Sequence, residues 1–106
     1  MVSPDIRKPI SPGEVLKEEF LDPMGISVYR LCKDTGLRQT QVGDILRGKR
    51  AISDEVDAVL CKYLGLSRGF WRRMQISYDS RKRDRELRIL EDRVIPYAEL
   101  ASNQSV

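Results

Sequence analysis

Apolar residues recur along this chain at intervals of three and four, in short stretches divided by Gly, Pro or Ser. No segment sustains the two-residue alternation of a half-buried strand, so the pattern predicts an all-α domain of five short helices joined by tight turns. The first opens at "ISPGEV": Ser11 suits an N-cap, Pro12 the first helical position and Glu14 a capping box, with Ile10 and Val15 placed as a hydrophobic staple. It is expected to end near Leu21, because Pro23 disfavours helical geometry at Asp22. The second starts at Ser27, with Ile26 and Leu31 as a staple. Val28, Leu31, Cys32 and Thr35 share one face at about 100° per residue, and Gly36 supplies a left-handed stop.

The third helix is expected over residues 39–47, with Val42, Ile45 and Leu46 on its apolar side and Thr40, Asp44 and Arg47 opposite. The fourth, over residues 54–64, takes Ser53 as its cap and a stripe of Val56, Val59, Leu60, Tyr63 and Leu64. Ser67 is the expected cap of the fifth, with Leu66 and Trp71 as its staple and Phe70, Trp71, Met74 and Tyr78 on one side. These patterns divide the chain into an N-terminal arm (residues 1–10), a helical domain (11–78) and a charged helix or tail (79–106).

Helices two and three meet the demands of a helix-turn-helix. Such a pair crosses through a short turn that often contains Gly, with a small residue inside the first helix and apolar anchors on both. Cys32 is the small residue, Gly36 the turn, and Leu31, Leu37, Val42 and Ile45 the anchors. A recognition helix enters the DNA major groove with its N-terminal residues nearest the base edges. Gln39 and Thr40 lie at that end, and Gln can pair with adenine N6 and N7, a contact worth about 1–3 kcal/mol of discrimination. Asp44, one turn further along the face of Thr40, can accept from cytosine N4. Arg47, Lys49 and Arg50 suit phosphates, as does Ser27 with its hydroxyl and the free N–H groups of a helix start. The competing reading is a solvated polar face followed by a basic last turn that the helix dipole favours. Gly43 costs about 1 kcal/mol against Ala inside a helix; it serves either close approach to DNA or a neighbouring helix, or is a tolerated weak spot.

Composition narrows the function. At 106 residues the chain is one domain by length, and its +3 formal charge suits a polyanionic partner without requiring one. There is no His, which excludes His-based catalytic triads and His metal sites. Cys32 and Cys61 are too few and too far apart for a zinc or CxxC motif, and a disulfide between them is not expected in a reducing compartment. Cys32 reads as a small buried hydrophobe; Cys61 lies at the edge of its stripe. With no Gly-rich phosphate loop, nothing points to an enzyme, a cofactor or a metal. No apolar run reaches the length of a membrane span or a secretory signal, so a cytoplasmic location is expected.

Residues 79–93 mix Arg81, Lys82, Arg83, Arg85, Arg88 and Arg93 with Asp79, Asp84, Glu86, Glu91 and Asp92. This reads either as a solvated helix laced with i,i+4 pairs or as a segment that docks on a second subunit or a partner through Leu87, Leu90, Val94 and Ile95. A dimer would require half-sites about 34 Å apart, or a multiple of that, because one monomer reads too few base pairs for a unique site.

"PISPGEVLKEEFLDPMGISVYRLCKDTG", "RGKRAIS" and "FWRRMQISYD" together resemble antitoxins of the HigA/VapI type, within the lambda-repressor-like helix-turn-helix fold; the likeness runs from residue 9 to about 79. It implies a five-helix domain with a C-terminal helical extension. It further implies a dimeric repressor of its own operon that binds an inverted repeat in double-stranded DNA and neutralises a HigB-like ribonuclease toxin. It places Gln39, Thr40, Gln41 and Asp44 toward the bases, and Ser27, Arg47, Lys49 and Arg50 toward the backbone. Phe70 and Trp71 match the "FW" of the family, as core. Cys32 departs from the alanine common in the fold, and the basic "RKRDRELR" departs from the acidic segment of several relatives. A stand-alone repressor without a toxin, or a protein-sequestering module with vestigial DNA binding, are the alternatives.

Overall fold

The computed structural model describes residues 8–104; residues 1–7 of the expected N-terminal arm lie outside them. Six helices, and no strand, are found among the described residues. Helix α1 occupies residues 12–24 and consists of Pro12–Val15, a wider stretch Leu16–Leu21, and Asp22–Met24. Then come α2 (Val28–Thr35), α3 (Gln39–Leu46), α4 (Asp54–Leu64), α5 (Phe70–Glu91) and α6 (Tyr97–Gln104).

The expected capping box at α1 is closed: Glu14 N–H donates to Ser11 Oγ at 3.3 Å, and Ser11 N–H donates to Glu14 Oε1 at 3.4 Å. Ile10 stays exposed, so the staple is not closed, and Val15 packs against the core instead. The helix also does not stop at Leu21. Its turns widen ahead of Pro23, with the Asp22 N–H bonded back to Lys17 O, and the chain remains helical to Met24. A proline in a regular α-helix lacks one donor and presses on the carbonyl four residues earlier. A five-residue turn relieves that clash, and the helix continues.

The core gathers Leu16 and Leu21 of α1, Leu31 and Cys32 of α2, Val42 and Ile45 of α3, Ile52, then Val56, Leu60 and Cys61 of α4, and Trp71 of α5. Both cysteines are free and buried, and burial pushes the Cys32 thiol up from its ordinary value. Phe20, Phe70 and Trp71 meet edge to face, Phe20 lying 5.2 Å and Phe70 5.0 Å from the Trp71 ring. Tyr63 ties α4 to α2 by donating to Asp34 Oδ2 at 2.6 Å. That bond and the one from Arg30 hold the Asp34 carboxyl below its usual range.

The start of α5 differs from expectation. Its N-cap is Gly69, at φ 97°, and not Ser67. The capping acceptor comes from another helix: Asp57 of α4, 1% exposed, accepts from Gly69 N–H at 2.7 Å, Trp71 N–H at 2.8 Å and Arg72 N–H at 3.1 Å. The Cys61 thiol sits 3.4 Å from the same carboxylate. Burial alone would raise the Asp57 carboxyl, but the N–H groups of Gly69, Arg72 and Trp71 together with Cys61 bring it below its ordinary value.

The expected fifth helix and the charged extension are one helix of 22 residues. Its first two turns lie in the core, whereas every residue from Asp79 to Leu100 is exposed. The projection stretches the molecule to 72 × 28 × 25 Å and its radius of gyration to 19.9 Å, against roughly 13 Å for a compact chain of this length. Ion pairs Arg83–Glu86 and Arg88–Asp84 run along the projecting part.

Candidate nucleic-acid interface

The turn between α2 and α3 is fixed by its own residues. Thr35 Oγ1 donates to Leu31 O at 2.7 Å and accepts from Leu37 N–H at 3.2 Å. Gly36 takes φ 81° and closes α2 with its N–H on Cys32 O at 2.8 Å. A side chain with a Cβ resists that left-handed geometry, so glycine sets the direction in which α3 leaves. Val42 and Ile45 then press α3 onto the core.

Gly13 holds α3 from the other side. A Cβ there would overlap the Ile45 carbonyl oxygen and lie 2.7 Å from its carbon, so α1 and α3 touch backbone to backbone. The close-approach glycine of this molecule is therefore Gly13. Gly43, by contrast, faces only the Arg47 guanidinium, whose Nη1 lies 3.3 Å from where a Cβ would be.

With its inner side fixed, α3 leaves Gln39 and Thr40 exposed and Gln41 half-buried. Arg38, Thr40, Gln41 and Arg50 line one concavity beside the helix start. Arg38 was missed by the sequence reading, although an arginine where Ser, Thr, Asp or Asn would cap the helix was a visible signal. It occupies the N-cap of α3 without a side-chain cap bond, so no N-cap side chain covers the first N–H groups.

Asp44 is engaged by cations. Its Oδ1 lies 2.6 Å from Arg47 Nη2 and its Oδ2 3.7 Å from Arg50 Nη2. This cluster fixes two guanidinium groups next to the exposed amides. Ser27 Oγ accepts from Arg30 N–H at 3.0 Å as the N-cap of α2, apart from that cluster, and its hydroxyl proton is still available to a phosphate. Lys49 and Arg50 follow α3 on a loop that α5 clamps: Ile52 N–H donates to Gln75 Oε1 at 2.9 Å, and Arg72 Nη1 donates to Ile52 O at 2.7 Å. Gln75, 4% exposed, is a buried amide that periodicity gave no reason to single out.

An exposed amide-bearing helix tip, flanked by cations on a rigid frame, has the construction of a DNA reading head. Residues 18–69 match the model of the Cro/C1-type helix-turn-helix DNA-binding domain. The chain is 37% identical over 70 residues to virulence-associated protein I of Dichelobacter nodosus, a match spanning 66% of this chain and 65% of that protein. It is 36% identical over 73 residues to antitoxin HigA-1 of Vibrio cholerae, spanning 69% of each. In three dimensions it resembles Pseudomonas aeruginosa antitoxin HigA, solved with the higBA promoter, with TM-score 0.70 and 31% identity over 83% of this chain and 97% of that one. The chain belongs to the HigA/VapI-type antitoxins of the lambda-repressor-like helix-turn-helix family. Proteins of this family are DNA-binding antitoxins and regulators, not a class of enzyme. Among the described residues no helix is long and apolar enough to cross a membrane, and no group of three or more His, Cys, Asp or Glu is placed to hold a metal ion.

Proposed function

We propose that this protein is the antitoxin of a toxin–antitoxin pair and represses its own operon as a dimer on an inverted repeat. Gln39, Thr40 and Gln41 read base edges. Asp44 holds Arg47 and Arg50 in place, and these two, with Ser27 and Lys49, take the phosphates. The observation that carries the reading is the outward display of Gln39 and Thr40 on a helix docked by Val42 and Ile45 and bordered by Arg38, Arg47, Lys49 and Arg50. A second copy of the chain occupies the exposed stripe of Leu87, Leu90, Val94 and Ile95. The mixed charges around that stripe are self-complementary, and pairing there gives the two heads a fixed separation. The toxin is a HigB-like ribonuclease, by extension from the relatives named HigA.

Selection of bound duplexes from a random pool tests the head and the symmetry together. The expected product is a palindrome whose half-sites lie about 34 Å apart, or a multiple of that. On it, Lys49→Ala or Arg50→Ala weakens binding to every sequence and flattens the salt slope by about one unit. A pool without enrichment, or a monomer on one short half-site, refutes the reading. Co-expression with a HigB-like ribonuclease encoded beside this gene tests the toxin: rescue of growth is expected, and continued RNA cleavage, or no such neighbouring gene, overturns that part.

A further inference from the structure

Residues outside the matched helix-turn-helix segment border the proposed DNA face. A groove of about 200 Å³ runs between the loop after α3 and the exposed flank of α5, with Gly48, Lys49 and Arg50 on one wall and Gln75, Asp79 and Lys82 on the other. Arg50 also lines the concavity that holds Arg38, Thr40 and Gln41, so one side chain borders both depressions. The walls keep a set distance because Gln75 bonds the loop at Ile52 N–H, at 2.9 Å.

The charges in this groove are specific. Among the described residues neither the Lys49 nor the Lys82 ammonium has an ion-pair or hydrogen-bond partner. Asp79 is the one carboxylate on the lining, and its Oδ1 accepts from Gln75 Nε2 at 3.0 Å. Three cations, of which Arg50 is shared with Asp44, against one engaged anion leave a net positive slot, with Tyr78 on the same lining. An oxyanion with several acceptor oxygens suits free ammonium groups converging from two walls. A slot that shares Arg50 with the proposed reading head is placed for a backbone phosphate of the duplex and not for a free ion.

We propose that Lys82, with Lys49 and Arg50, clamps a DNA phosphate outside the base pairs read by α3, making α5 part of the DNA-binding surface. This rests on the proposed function of α3. Lys82 is exposed on a surface helix, so its truncation leaves the fold intact.

The test compares wild type, Lys82→Ala and Arg85→Ala on the selected operator, by affinity against salt concentration and by phosphate-ethylation interference. Arg85 is exposed on the same helix but does not line the groove. The expected result is a salt slope lower by about 0.9 per subunit for Lys82→Ala. One ethylation-sensitive phosphate per half-site should also become insensitive in that variant, with Arg85→Ala unchanged in both. An unaltered slope and interference pattern for Lys82→Ala, while Lys49→Ala flattens the slope, overturns the clamp and leaves the reading head standing. Equal losses for Lys82→Ala and Arg85→Ala overturn it in favour of diffuse charge. Salt-independent binding, or none, by the wild type removes the head itself and the clamp with it.

Discussion

The two halves of α5 are the same secondary structure held by opposite means. From Phe70 to Tyr78 the helix is fixed from outside itself: Asp57 caps it, Trp71 is completely buried, and Arg72 and Gln75 grip the loop at Ile52. From Asp79 onward it is supported by its own backbone, by side-chain bonds along the helix such as Gln75–Asp79 and by ion pairs such as Arg88–Asp84 at 3.0 Å. Exposed pairs of this kind contribute only about 0.3–0.5 kcal/mol each. The buried half therefore fixes the loop beside α3, and the bare half leaves Leu87 and Leu90, with Val94 and Ile95 just beyond it, exposed. In the proposed function a single helix connects the reading head to the subunit contact.

The largest effect should come from the buried half. Asp57→Ala strips the acceptor from three backbone N–H groups at once and should cost about 4 kcal/mol in urea unfolding. A loss below about 1 kcal/mol would mean that α5 does not depend on this cap. Gly13→Ala should cost about 2–3 kcal/mol, because backbone at Ile45 must move to admit the methyl group. Operator affinity should fall with it, since the displaced element is α3. Wild-type stability in that variant would show that α1 and α3 do not meet as described.

Acid separates the halves further. The folded Asp57 carboxyl gives up its proton more readily than in the unfolded chain, so its stabilisation is fully present above the unfolded value of about 3.9. It is lost as pH falls through the depressed folded value. Unfolding followed from pH 6 downward should show an acid limb that Asp57→Asn flattens; an identical limb in both proteins would contradict the assignment.

The smallest effect on the head's own stability should come from the bare half. Leu87→Glu with Leu90→Glu should shift the unfolding of the dilute monomer by no more than about 0.5 kcal/mol. In sedimentation the same variant should be a monomer at concentrations where the wild type is a dimer. A dimer that survives the double change would place the subunit contact elsewhere.

Local chemistry made much of this legible in the sequence. The capping serines Ser11, Ser27 and Ser53, the glycine stop at Gly36 and the apolar anchors of α3 each act within four residues, which is the reach of sequence patterning. Asp57 was not legible because its partners lie 12 to 15 residues away and become neighbours only when α4 packs on α5. Gln75 bonds Ile52 across 23 residues and was equally hidden. Pro23 misled for a different reason: the rule that ends a helix before proline assumes a regular α-turn, and α1 widens instead. The composition shift at residue 79 marks where burial stops, not where the helix does. Among the site residues, exposure of Gln39 and Thr40 followed from periodicity, whereas the pairing of Asp44 with both Arg47 and Arg50 needed three dimensions.

The most direct measurement pairs one side chain with one base. Operator affinity is measured for wild type and Gln39→Ala, each on the selected duplex and on a duplex in which the adenine assigned to Gln39 carries carbon in place of N7. The wild type should lose about 1–3 kcal/mol on the altered duplex while Gln39→Ala binds both alike. If Gln39→Ala keeps the full wild-type discrimination, then α3 does not read DNA through its exposed amide and the account fails.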